Sequence, residues 1–187
     1  IIAKSISEQC CEFWLVYYER MSTELVQPLE KALDVNLCGG KAVSLSELMR
    51  ADFSVPDGLV ITTRAYQKMN PSLENQIYRH FDQLGAKYVA VRSSAVAEDS
   101  SNASWAGQLD TFLNVNRTNL LGKVQKCWDS TKSERAQAYA EQKGLQTGSV
   151  AVIVQIMIQG EVSGVAFSVH PVTKDRNHMV IEAVSGL

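Results

Sequence analysis

The chain has 187 residues, enough to bury a sizeable core as one large domain or as two small lobes. Apolar residues make up 45% of it and charged residues 20%, which is ordinary for a globular protein. The net charge of -2 provides no basic field for nucleic acid and no polybasic patch for a membrane. No apolar run reaches the roughly 18 residues of a membrane span.

The cysteine pattern gives no sign of a metal centre. Cys10, Cys11, Cys38 and Cys127 form no C-x-x-C pair, and no histidine lies near enough in sequence to complete a zinc-ligand spacing. We therefore expect reduced thiols in a cytoplasmic protein.

The first predicted elements are a buried strand and a helix that follows two glycines. Residues 13–18 (F-W-L-V-Y-Y) are apolar, aromatic and β-branched, which favours a strand. Residues 37–49 place Lys41 after G-G and at or near the N-terminus of a helix, where backbone amides and the helix dipole favour an anion. A bound phosphate would explain a lysine at this position, and a glycine turn with a solvated lysine is the alternative. The apolar face of this helix is predicted to comprise Ala42, Leu45, Leu48 and Met49.

The next block predicts a turn, a strand and two helices. Pro56, Asp57 and Gly58 form the turn and residues 59–62 the strand, and Thr63 is expected to cap a helix that runs through Met69. A second helix is expected over residues 71–87, closed by Gly85.

The most informative stretch begins with a short buried strand at residues 88–91, followed directly by Arg92, Ser93 and Ser94. A small polar loop comes next, and residues 111–115 return to strand composition. Arginine offers five donors in a fixed fork, and a loop of small residues lets the backbone approach an anion closely. Polyphosphate binding is one interpretation, and a surface ion pair beside an ordinary turn is the other.

The last third predicts helices over residues 118–141 and then strands over residues 148–160, 162–169 and 179–183, joined by short connections as an antiparallel meander. Trp128 is expected in the core. Gln155 is expected where the first of these strands leaves the core. Composition and periodicity alone therefore support a mixed α/β protein with an antiparallel sheet near its end.

Four motifs in order resemble those of one family. They are G-G-K-A-x-x-L, V-P-D-G-x-V-I-T-T-x-A-Y, V-R-S-S-A-x-A-E-D with A-S-W-A-G-Q-x-D-T-F-L-N-V, and I-V-Q-I-M-I. They are similar to the ATP-grasp nucleotide-binding domain of the pyruvate phosphate dikinase group, which includes phosphoenolpyruvate synthase, the glucan water dikinases and rifampicin phosphotransferase. One block departs from the family pattern, because S-G-V-A-F-S-V-H-P has Ser168 for threonine and His170 for aspartate.

The resemblance implies an α+β, ATP-grasp-like fold with two lobes. It divides the chain into a leader at 1–36, a first lobe at 37–115 and a second lobe at 116–187 that continues beyond this sequence. It assigns ATP-phosphate contacts to Lys41 and Arg92, which would also be the catalytic residues, and further phosphate contacts to Gly107, Thr111 and the Phe112 backbone. Adenine contacts fall on Gln155 and Met157.

The implied function is that of an ATP-binding domain of a dikinase or phosphotransferase. The family moves a phosphoryl group from ATP, through a phosphohistidine on a separate domain of the same or another chain, to a small acceptor such as pyruvate. The Mg²⁺ ligands are expected outside this sequence, so the chain alone is not expected to turn over. The phosphoryl acceptor could also be a glucan or an antibiotic. The alternative function is that of a non-catalytic module that senses nucleotide or serves as an interaction platform.

Overall fold

The computed structural model describes residues 24–96, 110–143 and 149–186 of the chain. The strand predicted over residues 13–18 lies outside the described residues, and so does Gly107, which falls within residues 97–109. The chain divides into two compact units, Ile1–Met157 and Ile158–Leu187.

A sheet of five strands forms the centre of the first unit. The strands are β1 (Val26–Pro28), β2 (Gly58–Ile61), β3 (Val89–Ala95), β4 (Thr111–Val115) and β5 (Val150–Ile156). Their spatial order is β1-β2-β5-β3-β4, and each neighbouring pair is antiparallel. β5 comes last in sequence but lies in the middle, where it pairs with β3 along its whole length.

Helices cover both faces of this sheet. They are α1 (Val35–Arg50), α2 (Pro71–Leu84), α3 (Leu120–Ser130) and α4 (Glu134–Lys143). Alternate residues of each strand point to opposite faces. Val60, Ala151 and Ile153 therefore pack with α1 on one face. Leu59, Val91 and Val154 pack with α2 and α3 on the other.

Most predicted elements are confirmed. The helix expected over residues 71–87 is α2, with Asn70 Oδ1 accepting from the Leu73 N–H at 3.0 Å and Gly85 closing it at φ 62°. Residues 118–141 form two helices, α3 and α4, and Trp128 is fully buried.

The helix predicted from Thr63 to Met69 is wrong, because only a single 3-10 turn forms at Thr63–Ala65. Pro71 begins α2, and the residue before a proline is driven out of the helical region, so Asn70 is extended and ends any earlier helix. The hydroxyl of Thr63 donates instead to the Asn36 carbonyl at 2.8 Å.

Three further expectations need correction. Leu48 does not share the buried face of α1 and is 42% exposed. β5 belongs to the five-stranded sheet rather than to a terminal meander. Gln155 does not mark the end of the core, because it is only 8% exposed.

The second unit contains a separate two-stranded sheet. Its strands are β6 (Val162–Phe167) and β7 (Val180–Ser185), paired antiparallel from Val162 and Ser185 to Phe167 and Val180. The antiparallel end of the chain is therefore confirmed. Among the described residues, no helix is both long enough and apolar enough to cross a membrane.

Candidate functional site

Lys41 lies where α1 starts again after a break. Gly39 has φ 75° and ψ 162°, which interrupts the helix and lets a new first turn begin at Gly40. In that turn the Ala42 N–H donates to Ser94 Oγ at 3.2 Å, so a serine of β3 acts as the cap that a helix start requires. The sequence-based placement of Lys41 at a helix N-terminus therefore agrees with the backbone.

The close contact between α1 and β3 depends on glycine. A Cβ on Gly39 would lie 2.3 Å from the Ser94 carbonyl oxygen, a distance that no side chain tolerates. Because Gly39 permits this approach, the Lys41 ammonium reaches the Ser93 carbonyl and donates to it at 3.4 Å. Lys41 is thereby held beside the residue that follows Arg92.

Arg92 occupies the face of the sheet that α1 covers. Its neighbours Val91 and Ser93 point to the opposite face, and its partner across the β3–β5 ladder is Ile153, which packs with α1. Arg92 Nη2 donates to Gln155 Oε1 at 3.3 Å. Lys41, Arg92 and Gln155 are therefore brought to one face by three different elements.

Thr111 joins this group through strand register. It is the β4 partner of Arg92, and directly paired residues of an antiparallel ladder share a face. Phe112 pairs with Val91 and so presents its ring to the other face, where Lys123 Nζ lies 4.5 Å from the ring centroid. Only the backbone of Phe112 can therefore serve on the Arg92 side, as the resemblance implies.

The start of β4 is fixed from within the core. The Ser93 N–H donates to the Asp110 carbonyl at 3.4 Å, and the Asp110 N–H donates to Ser130 Oγ at 3.5 Å. Ser130 in turn donates to the Cys127 carbonyl at 2.7 Å. The residue before Thr111 is thus tied to both β3 and α3.

The other end of the candidate site lies where β5 ends. The Met157 N–H donates to the Tyr88 carbonyl at 3.1 Å, and the Ile156 N–H donates to the Asp57 carbonyl at 2.8 Å. Tyr88 and Arg92 are four positions apart along the strand, a distance of about 13 Å. Adenine contacts at Gln155 and Met157 stay a prediction.

Two buried thiols flank the site, one on each face of the sheet. Burial raises the pKa of Cys38 to about 12, with the nearby Asp34 carboxylate adding to the effect. Burial likewise raises the pKa of Cys127 to about 12. Both side chains therefore remain neutral thiols at physiological pH and supply no reactive thiolate.

His170 accepts two hydrogen bonds from the backbone of its own turn. Its Nδ1 accepts from the N–H groups of Thr173 at 3.1 Å and Val172 at 3.3 Å. Backbone N–H groups can only donate, so Nδ1 carries no proton here.

The described residues offer no ready site for Mg²⁺. Within residues 24–96, 110–143 and 149–186, no group of three or more histidine, cysteine, aspartate or glutamate side chains is arranged to hold a metal ion. Mg²⁺ prefers carboxylate and phosphate oxygens. A cation at this site would depend on ligands from ATP or from residues that are not described.

Sequence reasoning missed three contributors to this geometry. The sequence shows Ser94 only as a hydroxyl beside Arg92, although its position in V-R-S-S is a signal. The close approach at Gly39 and the Pro56 carbonyl, which accepts from Gln155 Nε2 at 2.9 Å, gave none, because both depend on how distant strands and helices meet.

Comparison with known proteins identifies the class. The model of the family described as "Pyruvate phosphate dikinase, AMP/ATP-binding domain" matches residues 67–187. The chain therefore belongs to this family of AMP/ATP-binding domains. The match includes Arg92, Thr111 and Gln155 but starts after Lys41.

Similar curated proteins cover more of the chain. It is 36% identical over 203 residues to a probable phosphoenolpyruvate synthase of Archaeoglobus fulgidus, covering 82% of this chain and 27% of the relative. It is 32% identical over 202 residues to a phosphoenolpyruvate synthase of Aeropyrum pernix, covering 81% and 25%. It is 35% identical over 187 residues to the prodigiosin synthesizing transferase PigC of Serratia marcescens, covering 84% and 21%. The chain thus spans about a quarter of the length of these relatives.

Proposed function

We propose that this chain binds ATP on the α1 side of the five-stranded sheet and forms the nucleotide-binding part of a phosphotransferase. Lys41 and Arg92 would hold the phosphates, helped by Gly107, Thr111 and the Phe112 backbone. The adenine ring would lie toward the end of β5, near Gln155 and Met157. Mg²⁺ would accompany ATP at this site. The protein would be cytoplasmic.

The observation that carries this proposal is that Lys41 and Arg92, from separate elements, lie on one face of the sheet beside the start of a helix. Lys41 Nζ contacts the carbonyl of Ser93, the residue next to Arg92, and this contact depends on the Gly39 break. The backbone N–H groups and the dipole at the start of a helix favour an anion, and a lysine and an arginine on the same side add positive charge that favours it further. ATP phosphates suit this arrangement, and arginine adds a planar fork for their oxygens.

The reaction proposed for the whole protein is a two-step transfer. In the first step ATP and water would react: the β-phosphoryl group would go to a histidine on a separate domain of the same or another chain, the γ-phosphoryl group would go to water as phosphate, and AMP would be released. The histidine would then pass the group to a small acceptor such as pyruvate. The phosphoenolpyruvate synthases among the similar proteins support this choice of acceptor. No observation favours the non-catalytic module.

Calorimetric titration with Mg·ATP tests the proposal. Loss of one charge-assisted phosphate contact should cost about 1.5–3 kcal/mol, so Lys41→Ala and Arg92→Ala should each weaken ATP binding roughly 10- to 150-fold. Arg117→Ala is the matched control, because Arg117 pairs with Asp82 on an exposed surface through a 2.9 Å contact. The Arg117→Ala variant should bind ATP as tightly as the wild type does.

Two results would contradict the proposal. One is a wild-type protein that does not bind ATP. The other is an equal loss of affinity in all three variants, which would show only a general dependence on positive charge.

A further inference from the structure

The side-chain amide of Gln155 joins three parts of the first unit. Its Oε1 accepts from Arg92 Nη2 at 3.3 Å, and its Nε2 donates to the Pro56 carbonyl at 2.9 Å. Gln155 lies on β5, Arg92 on β3 and Pro56 two residues before β2. The amide therefore links the segment before β2 to the Arg92 guanidinium on β3.

Chemistry fixes the orientation of this amide. A guanidinium has only donors, so it must face the amide oxygen. A proline carbonyl can only accept, so it must face the amide nitrogen. Turning the amide over would break both bonds at once, and Gln155 thus holds one defined orientation.

The sheet provides the space that this arrangement needs. The partners of Gln155 across the two ladders are Gly58 and Ala90, the smallest residues available. A Cβ on Gly58 would lie 2.7 Å from the Val154 carbonyl oxygen and 3.1 Å from the Gln155 Cα. A larger residue at position 58 would therefore collide with the β5 backbone at Val154 and Gln155.

We infer that Gln155 is a positioning residue that acts through Arg92 and holds its guanidinium ready for the ATP phosphates. This inference rests on the proposed function, in which Arg92 binds those phosphates. An arginine side chain loses much rotamer freedom when it is fixed, and a partner that fixes it in advance lowers the cost of binding. Gln155 thus contributes to phosphate affinity without discriminating between bases.

The two possible roles of Gln155 differ in what they predict for the base. If Gln155 read the adenine edge, its removal would reduce the preference for ATP over ITP, because inosine has an oxygen in place of the adenine amino group. If Gln155 positions Arg92, its removal weakens both triphosphates by the same factor. The ratio of the two dissociation constants separates the roles.

The experiment is a titration of the full chain with Mg·ATP and Mg·ITP in wild type, Gln155→Met, Arg92→Ala and the double variant. We expect Gln155→Met to weaken ATP and ITP about 5- to 20-fold each, with their ratio within twofold of wild type. In the Arg92→Ala background the same change should have less than a twofold effect, because residues that act as one unit are not additive.

Each other outcome overturns a defined statement. A changed ATP/ITP ratio, or a full additional loss in the double variant, shows that Gln155 acts on the base or independently of Arg92, and the inference fails while ATP binding stands. No ATP binding in wild type overturns the proposed function and the inference together. If Gln155→Met does not fold, as judged by circular dichroism, Gln155→Glu keeps the volume and the acceptor and gives the same ratio test.

Discussion

At the scale of single residues, Gly39 determines how α1 meets β3. Its φ of 75° and ψ of 162° lie in a region that only glycine populates readily. The residue also leaves the room in which the Ser94 carbonyl contacts the restart of α1. Lys41 depends on both properties, because it is two residues away in the same turn.

We expect Gly39→Ala to destabilise the protein and to weaken ATP binding. The added methyl would both strain the backbone, at about 1–3 kcal/mol, and collide with Ser94. Gly85→Ala is the matched control, since Gly85 also has positive φ but a Cβ there would have no atom within 4 Å. Urea unfolding should rank the two variants, with Gly39→Ala the less stable. Equal losses would show that backbone strain alone matters at Gly39.

Residue types selected the two cations of the proposed site but not their partners. The sequence was sufficient to select Arg92, which follows an apolar run, and Lys41, which follows two glycines. Each is a positive charge in a local sequence that favours anion binding. The bond from Arg92 to Gln155 spans 63 positions and depends on the register of β5, which residue pattern does not determine. For the same reason the burial of Gln155 was not predicted.

At the scale of elements, local signals were sufficient where an element is bounded by its own caps. α2 has Asn70 before it, Pro71 at its first position and Gly85 after it, so both ends could be predicted. The Thr63 helix failed because its end is decided by the start of the next helix. The prediction for β5 was wrong because the sequence of a short apolar strand does not indicate which sheet the strand joins.

Hydrogen exchange should separate the central strand from the terminal hairpin. β5 is buried between β2 and β3, so its amides open only when the sheet opens. β6 and β7 form a two-stranded sheet with Val162 65% and Ile181 68% exposed, and such hairpins are marginal in water. Mass spectrometry should find slow exchange at Val152 and fast exchange at Val165. Equal protection of both would show that other residues cover the hairpin.

At the scale of the whole molecule, the sheet separates two cores that each contain a buried thiol. Cys38 packs with α1 on one face, and Cys127 packs with α3 on the other. Burial raises the pKa of both thiols to about 12 in the folded protein, from 9.0 for an unperturbed thiol. The global stability of the protein is therefore linked to pH.

The folded state keeps the two protons over a range in which the unfolded chain loses them. The stabilisation is complete below about pH 9 and is lost as the pH rises toward 12, because the folded pKa values are raised. The slope is at most about 1.4 kcal/mol per pH unit for each thiol. Urea unfolding from pH 8 to pH 10.5 should show wild type losing stability faster than a Cys38→Ala, Cys127→Ala variant. Parallel curves would contradict the linkage.

The central place of β5 also governs how the protein matures on the ribosome. Until residues 150–156 have been synthesised, β1 with β2 and β3 with β4 are two separate pairs, each with an open edge that β5 will later fill. Such long-range pairing is slow and leaves edges open to aggregation, so a nascent chain stalled before β5 should need chaperone protection. Arg92 also lacks Gln155 until then. Neither the five-stranded sheet nor the Arg92–Gln155 contact can therefore form before β5 is available.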